Sequence, residues 1–278
     1  MQSLFCEKDP HPHIGWRFIP EKEGAFKNKE FWTTVRINSL GMRGSEVDLS
    51  QDKKRLLILG DSIAVGWGVE EESMFSTLMG KELKNWMILN MSVPGYCTRS
   101  QFFQLDKMGE KYHPSVVLLS FYHNDPIENA YPEDFQIHNP QYYKGMERLY
   151  GYHFLRRILD GSLFKKEARP YYRGSNREIW ALTEEYLEKI MAWCQQRKVR
   201  FHLAYFPVKD EINEKEPVGY RKKLVEYCLR EKVSYIDLTE VIQSQPEPRD
   251  VYFEIDEHLS SQGHLIVARK LMEYLDLR

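Results

Sequence analysis

The sequence predicts an α/β fold in which a parallel β-sheet lies between two layers of helices, a three-layer α/β/α arrangement. Three observations support this prediction. Residues 54–60 contain an apolar run of strand length that ends in Gly60, which is typical of a strand buried on both faces. Short apolar segments alternate with amphipathic segments of helical period along most of the chain. The length of 278 residues suits one large α/β domain or two small ones.

The predicted elements follow one another as strand and helix. The longest helical segment, residues 177–198, repeats Leu187, Ile190 and Cys194 at helical spacing. Parallel strands joined by helices make right-handed crossovers, so the alternation favours a doubly wound sheet. The predicted strands are 54–60, 86–91, 115–122, 199–206 and 234–238, and the predicted helices are 74–85, 98–112, 177–198, 220–232 and 260–275.

Two regions depart from this alternation. Residues 1–50 are rich in turn formers and show no sustained period, so we expect an N-terminal extension of irregular or short-stranded structure. Residues 130–178 form an aromatic-rich insertion, with 11 aromatic residues among the 50 from Tyr131 to Trp180. It either covers an exposed sheet edge or forms a lid or binding wall. The remaining residues of 51–278 are predicted to form a single domain around that insertion.

Composition and charge exclude several classes of protein. Lys and Arg number 39 against 41 Asp and Glu, so the net charge of −2 lacks the basic field of a general nucleic-acid-binding protein. The four cysteines lie far apart, which argues against a disulfide scaffold or structural zinc. No apolar run approaches the ~20 residues that span a bilayer. The N-terminus has no long apolar segment, so we expect a cytoplasmic protein as written, or an exported or anchored one if a leader was removed.

Chemically active side chains follow each predicted strand. In a doubly wound sheet, ligands bind beyond the carboxyl ends of the strands. The relevant segments are Gly60-Asp61-Ser62 after the first strand, the loop with Gly95 after the second, Tyr122-His123-Asn124-Asp125 after the third, and Glu254 to His258 before the last helix.

These segments supply what acyl transfer requires. A serine at a strand-to-helix turn can act as nucleophile, a histidine can take its proton, and a carboxylate can orient that histidine. A glycine lets a backbone N–H approach an oxyanion, and an asparagine amide adds a second donor. The spacing therefore points to a hydrolase-type site.

The order of these motifs resembles the SGNH hydrolase family, also called GDSL esterases. Gly60-Asp61-Ser62 matches its first block, Gly95 its glycine block, Asn124-Asp125 its third block and Asp256-x-His258 its last. The resemblance implies a flavodoxin-like sheet, Ser62 as nucleophile and His258 as general base. It also implies an oxyanion hole made of the Ser62 and Gly95 N–H groups and the Asn124 side chain.

Two positions depart from the family pattern. Tyr122 stands where the family usually has glycine, so we expect a narrower pocket floor or a shifted Asn124. Ile255 stands three residues before His258, where the family usually has aspartate. We expect Asp256 to support His258 instead, with Glu254 as the alternative and a working Ser–His dyad with weak support as a third possibility.

The remaining candidates each have a structural alternative. Tyr122, His123 and Asp61 are candidate substrate-binding residues because they lie within the strand-end motifs. Asp61 could instead support the turn through backbone hydrogen bonds, and Asp125 could cap a turn. Buried packing is the simpler role for Cys97 and His264. We predict no metal site and no cofactor, since the chain lacks a second ligand pair and a G-x-G-x-x-G motif.

The function expected from these features is ester hydrolysis by a serine esterase. The reaction would pass through an acyl-enzyme on a small acyl ester, with O-acetyl groups on a carbohydrate suggested by the family's habits. Two alternatives are an O-acyltransferase with the same Ser/His machinery and a non-catalytic binding module of the same fold. The expected partner is a small-molecule or carbohydrate ester, without nucleic acid.

Overall fold

The structure, a computed structural model, describes residues 5–130 and 177–277. The strands are β1 (Cys6–Lys8), β2 (Trp16–Phe18), β3 (Glu23–Lys27), β4 (Trp32–Arg36), β5 (Lys54–Leu59), β6 (Trp86–Asn90), β7 (Val116–Tyr122), β8 (Arg200–Phe206) and β9 (Tyr235–Asp237). The helices are α1 (Phe75–Glu82), α2 (Thr98–Met108), α3 (Asp125–Ala130), α4 (Arg177–Gln196), α5 (Gly219–Arg230), α6 (Thr239–Gln243) and α7 (Ser261–Tyr274).

The central sheet contains five parallel strands in the order β6-β5-β7-β8-β9. The connections after β5 and β6 run in opposite directions along the sheet, so the strand order reverses between β5 and β7. That crevice is where ligands bind in doubly wound folds. The predicted parallel α/β sheet is therefore confirmed, and its strand order is the flavodoxin-like one.

Apolar residues on both faces of the sheet explain the three layers. Leu56 and Ile58 belong to one buried cluster, whereas Leu57 and Leu59 belong to another, as expected for side chains that alternate across a strand. Helices α1, α6 and α7 cover the first face, and α2, α4 and α5 cover the second. All seven residues of β7 are buried, which is the pattern of a central parallel strand.

The predicted helices and strands agree with the structure to within a few residues at most boundaries. The predicted helix at 98–112 is an exception, because α2 ends at Met108 and a separate 3-10 turn covers Glu110–Tyr112. Gly109 lies between them, and glycine is a weak helix former. The short helices α3 and α6 were not predicted, since six and five residues carry too little periodicity to detect.

The N-terminal extension forms two antiparallel hairpins, β1–β2 and β3–β4. Its apolar side chains, including Phe5, Phe18 and Phe26, share a buried cluster with Val65 and Val93 of the main domain. The expectation of short strands is thus met, and the extension packs closely on the loops that follow β5 and β6.

The predicted insertion at 130–178 lies largely outside the described residues, so its role stays a prediction. None of the described helices is both long enough and apolar enough to cross a membrane.

Candidate active site

The carboxyl ends of the parallel strands bring the predicted catalytic residues to one edge of the sheet. Ser62 follows β5, Gly95 follows β6, and Asn124 follows β7. His258 lies in the loop that precedes α7 and reaches the same edge from the far end of the chain.

Ser62, His258 and Asp256 form a continuous hydrogen-bonded relay. His258 Nε2 lies 2.7 Å from Ser62 Oγ, and His258 Nδ1 lies 2.5 Å from Asp256 Oδ1. A neutral imidazole that donates from Nδ1 to the carboxylate leaves Nε2 free to accept the serine proton. This is the geometry that a serine nucleophile and its general base require.

The close spacing of Asp256 and His258 has a local explanation. The His258 backbone N–H donates to Asp256 Oδ1 at 3.0 Å, so one carboxylate oxygen accepts from both the backbone and the ring of the same residue. Such an Asx-type turn brings a carboxylate two residues away into reach of the ring. Glu254 is exposed instead, and its carbonyl oxygen accepts from Lys209 Nζ at 2.8 Å.

The Asp256 carboxylate has opposing influences on its ionisation. Burial acts to raise its pKa, but hydrogen bonds from the His258 ring and backbone and from Asn28 outweigh burial. The pKa of Asp256 is therefore held below its usual value, and the carboxylate stays ionised beside the imidazole.

The turn that carries Ser62 is held by buried hydrogen bonds. Asp61 Oδ1 accepts from the Ile63 N–H at 2.9 Å, and Asn90 Nδ2 donates to the Ala64 carbonyl at 2.8 Å. Position 60 has no room for a side chain, since a Cβ at Gly60 would lie 2.5 Å from the Ala64 Cβ. The sharp strand-to-turn transition therefore presents the Ser62 hydroxyl at the sheet edge.

Two backbone donors are available for an oxyanion. Within residues 5–130 and 177–277, the N–H groups of Ser62 and Gly95 make no hydrogen bond. Gly95 has φ of 77°, a left-handed conformation that favours glycine. Unpaired donors beside a nucleophile can stabilise the negative charge of a tetrahedral intermediate.

The third predicted oxyanion donor, Asn124, has one partner already. Its Nδ2 donates to Glu128 Oε1 at 3.0 Å, one turn along the chain. An amide nitrogen carries two hydrogens, so one remains for a substrate oxygen. The contact with Glu128 fixes the side chain, and the predicted role of Asn124 stays compatible with its position.

The predicted substrate-binding role of Asp61 and Tyr122 is corrected, because both side chains are buried. Asp61 is 0% exposed, and its carboxylate binds the turn rather than open space. Tyr122 is 5% exposed and packs in the apolar cluster with Ile63 and Phe206. Both side chains therefore stabilise the loops that form the site, and neither is available to a substrate. His123 is partly exposed, with its ring centroid 4.4 Å from that of Tyr122, and it stays a candidate.

Buried carboxyl groups lie beneath the site. Burial raises the pKa of Asp61 to about 6 and raises the pKa of Asp125 well above its usual value, with the charge of Asp61 adding to the shift at Asp125. Burial disfavours the charged form of each carboxyl group, and at Asp61 the backbone N–H groups of the turn and the charge of His258 oppose that effect. Among the described residues, no group of three or more His, Cys, Asp or Glu side chains could hold a metal ion.

The other candidates from the sequence are structural. His264 is 1% exposed, and its Nδ1 accepts from the Phe75 N–H at 3.2 Å. Cys97 is fully buried, and burial raises the pKa of its thiol to about 12, which makes it a poor nucleophile.

An aromatic group beside His258 was not predicted from the sequence. The Trp67 ring centroid lies 5.8 Å from that of His258, and Phe31 and Phe253 pack next to each other at 5.0 Å. Phe31 also meets Trp67 edge-on at 6.1 Å. These rings come from the N-terminal hairpin, the Ser62 turn and the His258 loop, so no local sequence signal joins them.

Solved structures with the same fold are esterases or related proteins. TesA has a TM-score of 0.53 and 12% identity, with 81% of this chain and 100% of TesA covered. The psychrotrophic esterase EstA from Pseudoalteromonas sp. has a TM-score of 0.53 and 11% identity, with 81% and 97% covered. A two-domain esterase active on acetylated mannans has a TM-score of 0.51 and 13% identity, with 82% of this chain and 50% of that chain covered.

Sequence comparison gives the family. A search of curated proteins finds no significant match. The model of the GDSL-like lipase/acylhydrolase family, however, matches residues 58–266, which is more than half of the chain and includes Ser62, Asn124 and His258. With that match and the parallel sheet around it, the chain belongs to the GDSL-like lipase/acylhydrolase family and is a serine esterase of the SGNH type.

Proposed function

We propose that the protein hydrolyses esters of small acyl groups through an acyl-enzyme formed on Ser62. The observation that carries the proposal is the relay of 2.7 Å from Ser62 Oγ to His258 Nε2 and 2.5 Å from His258 Nδ1 to Asp256. Such a relay combines a nucleophile, its base and the group that orients the base.

The reaction follows from these positions. Ser62 Oγ attacks the ester carbonyl while His258 Nε2 takes the hydroxyl proton, and Asp256 stabilises the imidazolium. The Ser62 and Gly95 N–H groups and the Asn124 amide stabilise the oxyanion. The carbon–oxygen bond to the alcohol then breaks as His258 returns the proton to the leaving oxygen. Water, deprotonated by His258, attacks the acyl-enzyme and releases the acid and the free serine.

O-acetyl groups on a carbohydrate are the proposed substrate. Support comes from the rings of Trp67, Phe31 and Phe253 beside His258, since aromatic faces offer broad apolar surfaces to sugar rings. The His258 side chain is 21% exposed, which suits a site open to a large alcohol moiety. The two-domain esterase of the same fold acts on acetylated mannans.

The test compares acyl groups and then removes the nucleophile. We expect hydrolysis of p-nitrophenyl acetate to exceed that of long-chain esters, and we expect acetate release from an acetylated mannan. Ser62→Ala should lower kcat by roughly four to six orders of magnitude and abolish labelling by a fluorophosphonate. Ser92→Ala is the matched control, because Ser92 also follows a parallel strand and its Oγ makes no hydrogen bond among the described residues.

Three outcomes would contradict the proposal. Activity that survives Ser62→Ala would exclude Ser62 as the nucleophile. Binding of an ester without turnover or labelling would favour a non-catalytic module. Preferential transfer of the acetyl group to an added sugar, rather than to water, would replace hydrolysis by acyl transfer at the same serine.

A further inference from the structure

The loop between β3 and β4 reaches from the N-terminal extension to the catalytic carboxylate. Asn28 Nδ2 donates to Asp256 Oδ2 at 2.8 Å, while the other oxygen of Asp256 accepts from His258. Both oxygens of the carboxylate therefore have a defined partner. The two residues are 228 positions apart in the chain.

The orientation of the Asn28 amide is determined by its own contacts. Asn28 Oδ1 accepts from the N–H groups of Glu30 at 2.7 Å and Phe31 at 3.1 Å. An amide oxygen accepts and an amide nitrogen donates, so these two bonds require Nδ2 to face Asp256. Asn28 thus does two separable things: its oxygen holds the hairpin loop, and its nitrogen holds the catalytic carboxylate.

Glu30 strengthens the same contact through the backbone. Its carboxylate accepts from the Ile255 N–H at 2.9 Å and from the Asp256 N–H at 2.5 Å. Phe31 packs against Phe253 on the neighbouring side of the loop. The hairpin loop therefore forms hydrogen bonds with the backbone of the segment that supports His258 and with the Asp256 side chain.

We propose that Asn28 is a positioning residue for catalysis, whose amide holds the Asp256 carboxylate in the orientation that supports His258. This inference rests on the proposed function of Ser62. It makes the N-terminal extension part of the active site, although the family match begins only at residue 58.

The Asn28 amide matters because a carboxylate that is hydrogen-bonded through only one oxygen is freer to rotate. A half-buried carboxylate that loses a donor can rotate away from the imidazole or retain a proton, and either change weakens the support of His258. Charged and titratable groups around this segment include Glu30 on the hairpin, Glu254 and Glu257 in the loop itself, and Lys209, which donates to the carbonyl oxygens of Phe253 and Glu254. Buried Asp61 and buried His264 also interact electrostatically with His258. None of them replaces the Asn28 donor at Asp256 Oδ2.

Asn28→Asp separates the two roles of Asn28. Aspartate keeps an oxygen for the Glu30 and Phe31 N–H groups but replaces the donor with a second negative charge beside Asp256. We expect kcat to fall about tenfold or more, the order expected for the loss of one hydrogen bond to a charged group. Because neighbouring carboxylates retain protons to higher pH, the acidic limb of the pH–rate profile should move to higher pH. The lost hydrogen bond and the new repulsion should also lower the thermal unfolding midpoint, so the shifted acidic limb is the discriminating readout.

Asn38→Asp is the matched control. Asn38 also accepts from two backbone N–H groups, those of Leu40 and Met42 at 3.0 Å each, and donates from Nδ2 to the Ser45 carbonyl. The same substitution there removes an equivalent donor away from the catalytic loop. We expect it to lower thermal stability without moving the acidic limb of the pH–rate profile.

The outcomes distinguish the two proposals. If Ser62→Ala is inactive but Asn28→Asp keeps the kcat and the pH–rate profile of the wild type, the role of Asn28 is wrong and the proposed function stands. The role is also wrong if Asn28→Asp only lowers the unfolding midpoint. If Ser62→Ala remains active, the proposed function fails and the role of Asn28 fails with it. A lower kcat together with a shifted acidic limb supports the inference.

Discussion

Arg43 donates from its guanidinium to the carbonyl oxygen of Val65 at 3.1 Å, inside the turn that follows Ser62. The same side chain donates to the carbonyl oxygens of Gly66 at 2.5 Å and Val69 at 2.6 Å. Arg43 is only 4% exposed, and burial lowers its pKa to about 10, so it stays charged at neutral pH. A residue of the N-terminal extension thus holds the loop that carries Ser62, the proposed nucleophile.

Removal of this guanidinium should destabilise the protein. Arg43→Ala would leave several buried carbonyl oxygens without a donor, and we expect a loss of about 3 kcal/mol in the free energy of unfolding. Urea unfolding monitored by Trp fluorescence measures it. Arg36→Ala is the control, because the Arg36 side chain is 59% exposed and should contribute little. A loss below about 1 kcal/mol for Arg43→Ala would contradict this role.

The supporting carboxylate can be identified by paired substitutions. Asp256→Asn keeps the shape but removes the charge that orients the imidazole, and such a change in a serine–histidine–aspartate site costs about 10⁴-fold in kcat. Glu254→Gln should leave kcat close to the wild-type value, since the Glu254 side chain is exposed and lies outside the relay. Steady-state kinetics on p-nitrophenyl acetate compares them. A larger loss for Glu254→Gln would reverse the assignment.

His264 should make the fold sensitive to acid. Burial lowers its pKa to about 3, with the charge of Arg43 adding to the shift, whereas the unfolded chain has the ordinary value of 6.5. Between these values the unfolded state binds more protons, so stability falls as the pH drops from 6.5 towards 3, by at most about 1.36 kcal/mol per pH unit.

His264→Asn tests this origin of acid sensitivity. The variant should be less stable at pH 7, because it loses packing against Phe75. Its stability should nevertheless fall less steeply than that of the wild type between pH 6.5 and 4. Urea unfolding at several pH values gives both slopes, and equal slopes would show that His264 does not titrate on unfolding.

Glu128 should have the opposite pH dependence. Burial raises its pKa to about 8, the charge of Asp61 adds to the shift, and the bond from Asn124 opposes it. The folded state therefore binds more protons than the unfolded state between pH 4.5 and 8, and stability is lost as the pH rises through that window. Glu128→Gln keeps an oxygen for Asn124 but carries no charge. The difference between the unfolding midpoint of Glu128→Gln and that of the wild type should therefore increase, in favour of the variant, from pH 5 to 8.5.

An exposed carboxylate serves as the control for Glu128. Glu185→Gln removes an exposed carboxylate on α4 and should show no such trend with pH. A constant difference between Glu128→Gln and the wild type across the range would mean that the Glu128 carboxyl has the same pKa in both states.

The sequence by itself determined the parallel sheet and the position of the reacting groups along it. Apolar runs such as Leu56–Leu59 specify strands buried on both faces, and the carboxyl ends of such strands meet at one edge. Ser62, Gly95 and Asn124 could therefore be placed together from their distance to the preceding strand. These relationships are local, so a linear pattern encodes them.

Only the tertiary structure decided how the catalytic loop is held. The sequence favoured Asp256 over Glu254 as the partner of His258, but the hydrogen bonds by which an Asx-type turn places Asp256 Oδ1 beside the ring are a property of the folded loop. The contacts of Asn28 with Asp256 and of Arg43 with the turn after Ser62 join distant segments of the chain. Side chains that meet only after the sheet and the hairpins have packed leave no periodic trace in the sequence, which is why these contacts, unlike the strands, could not be predicted.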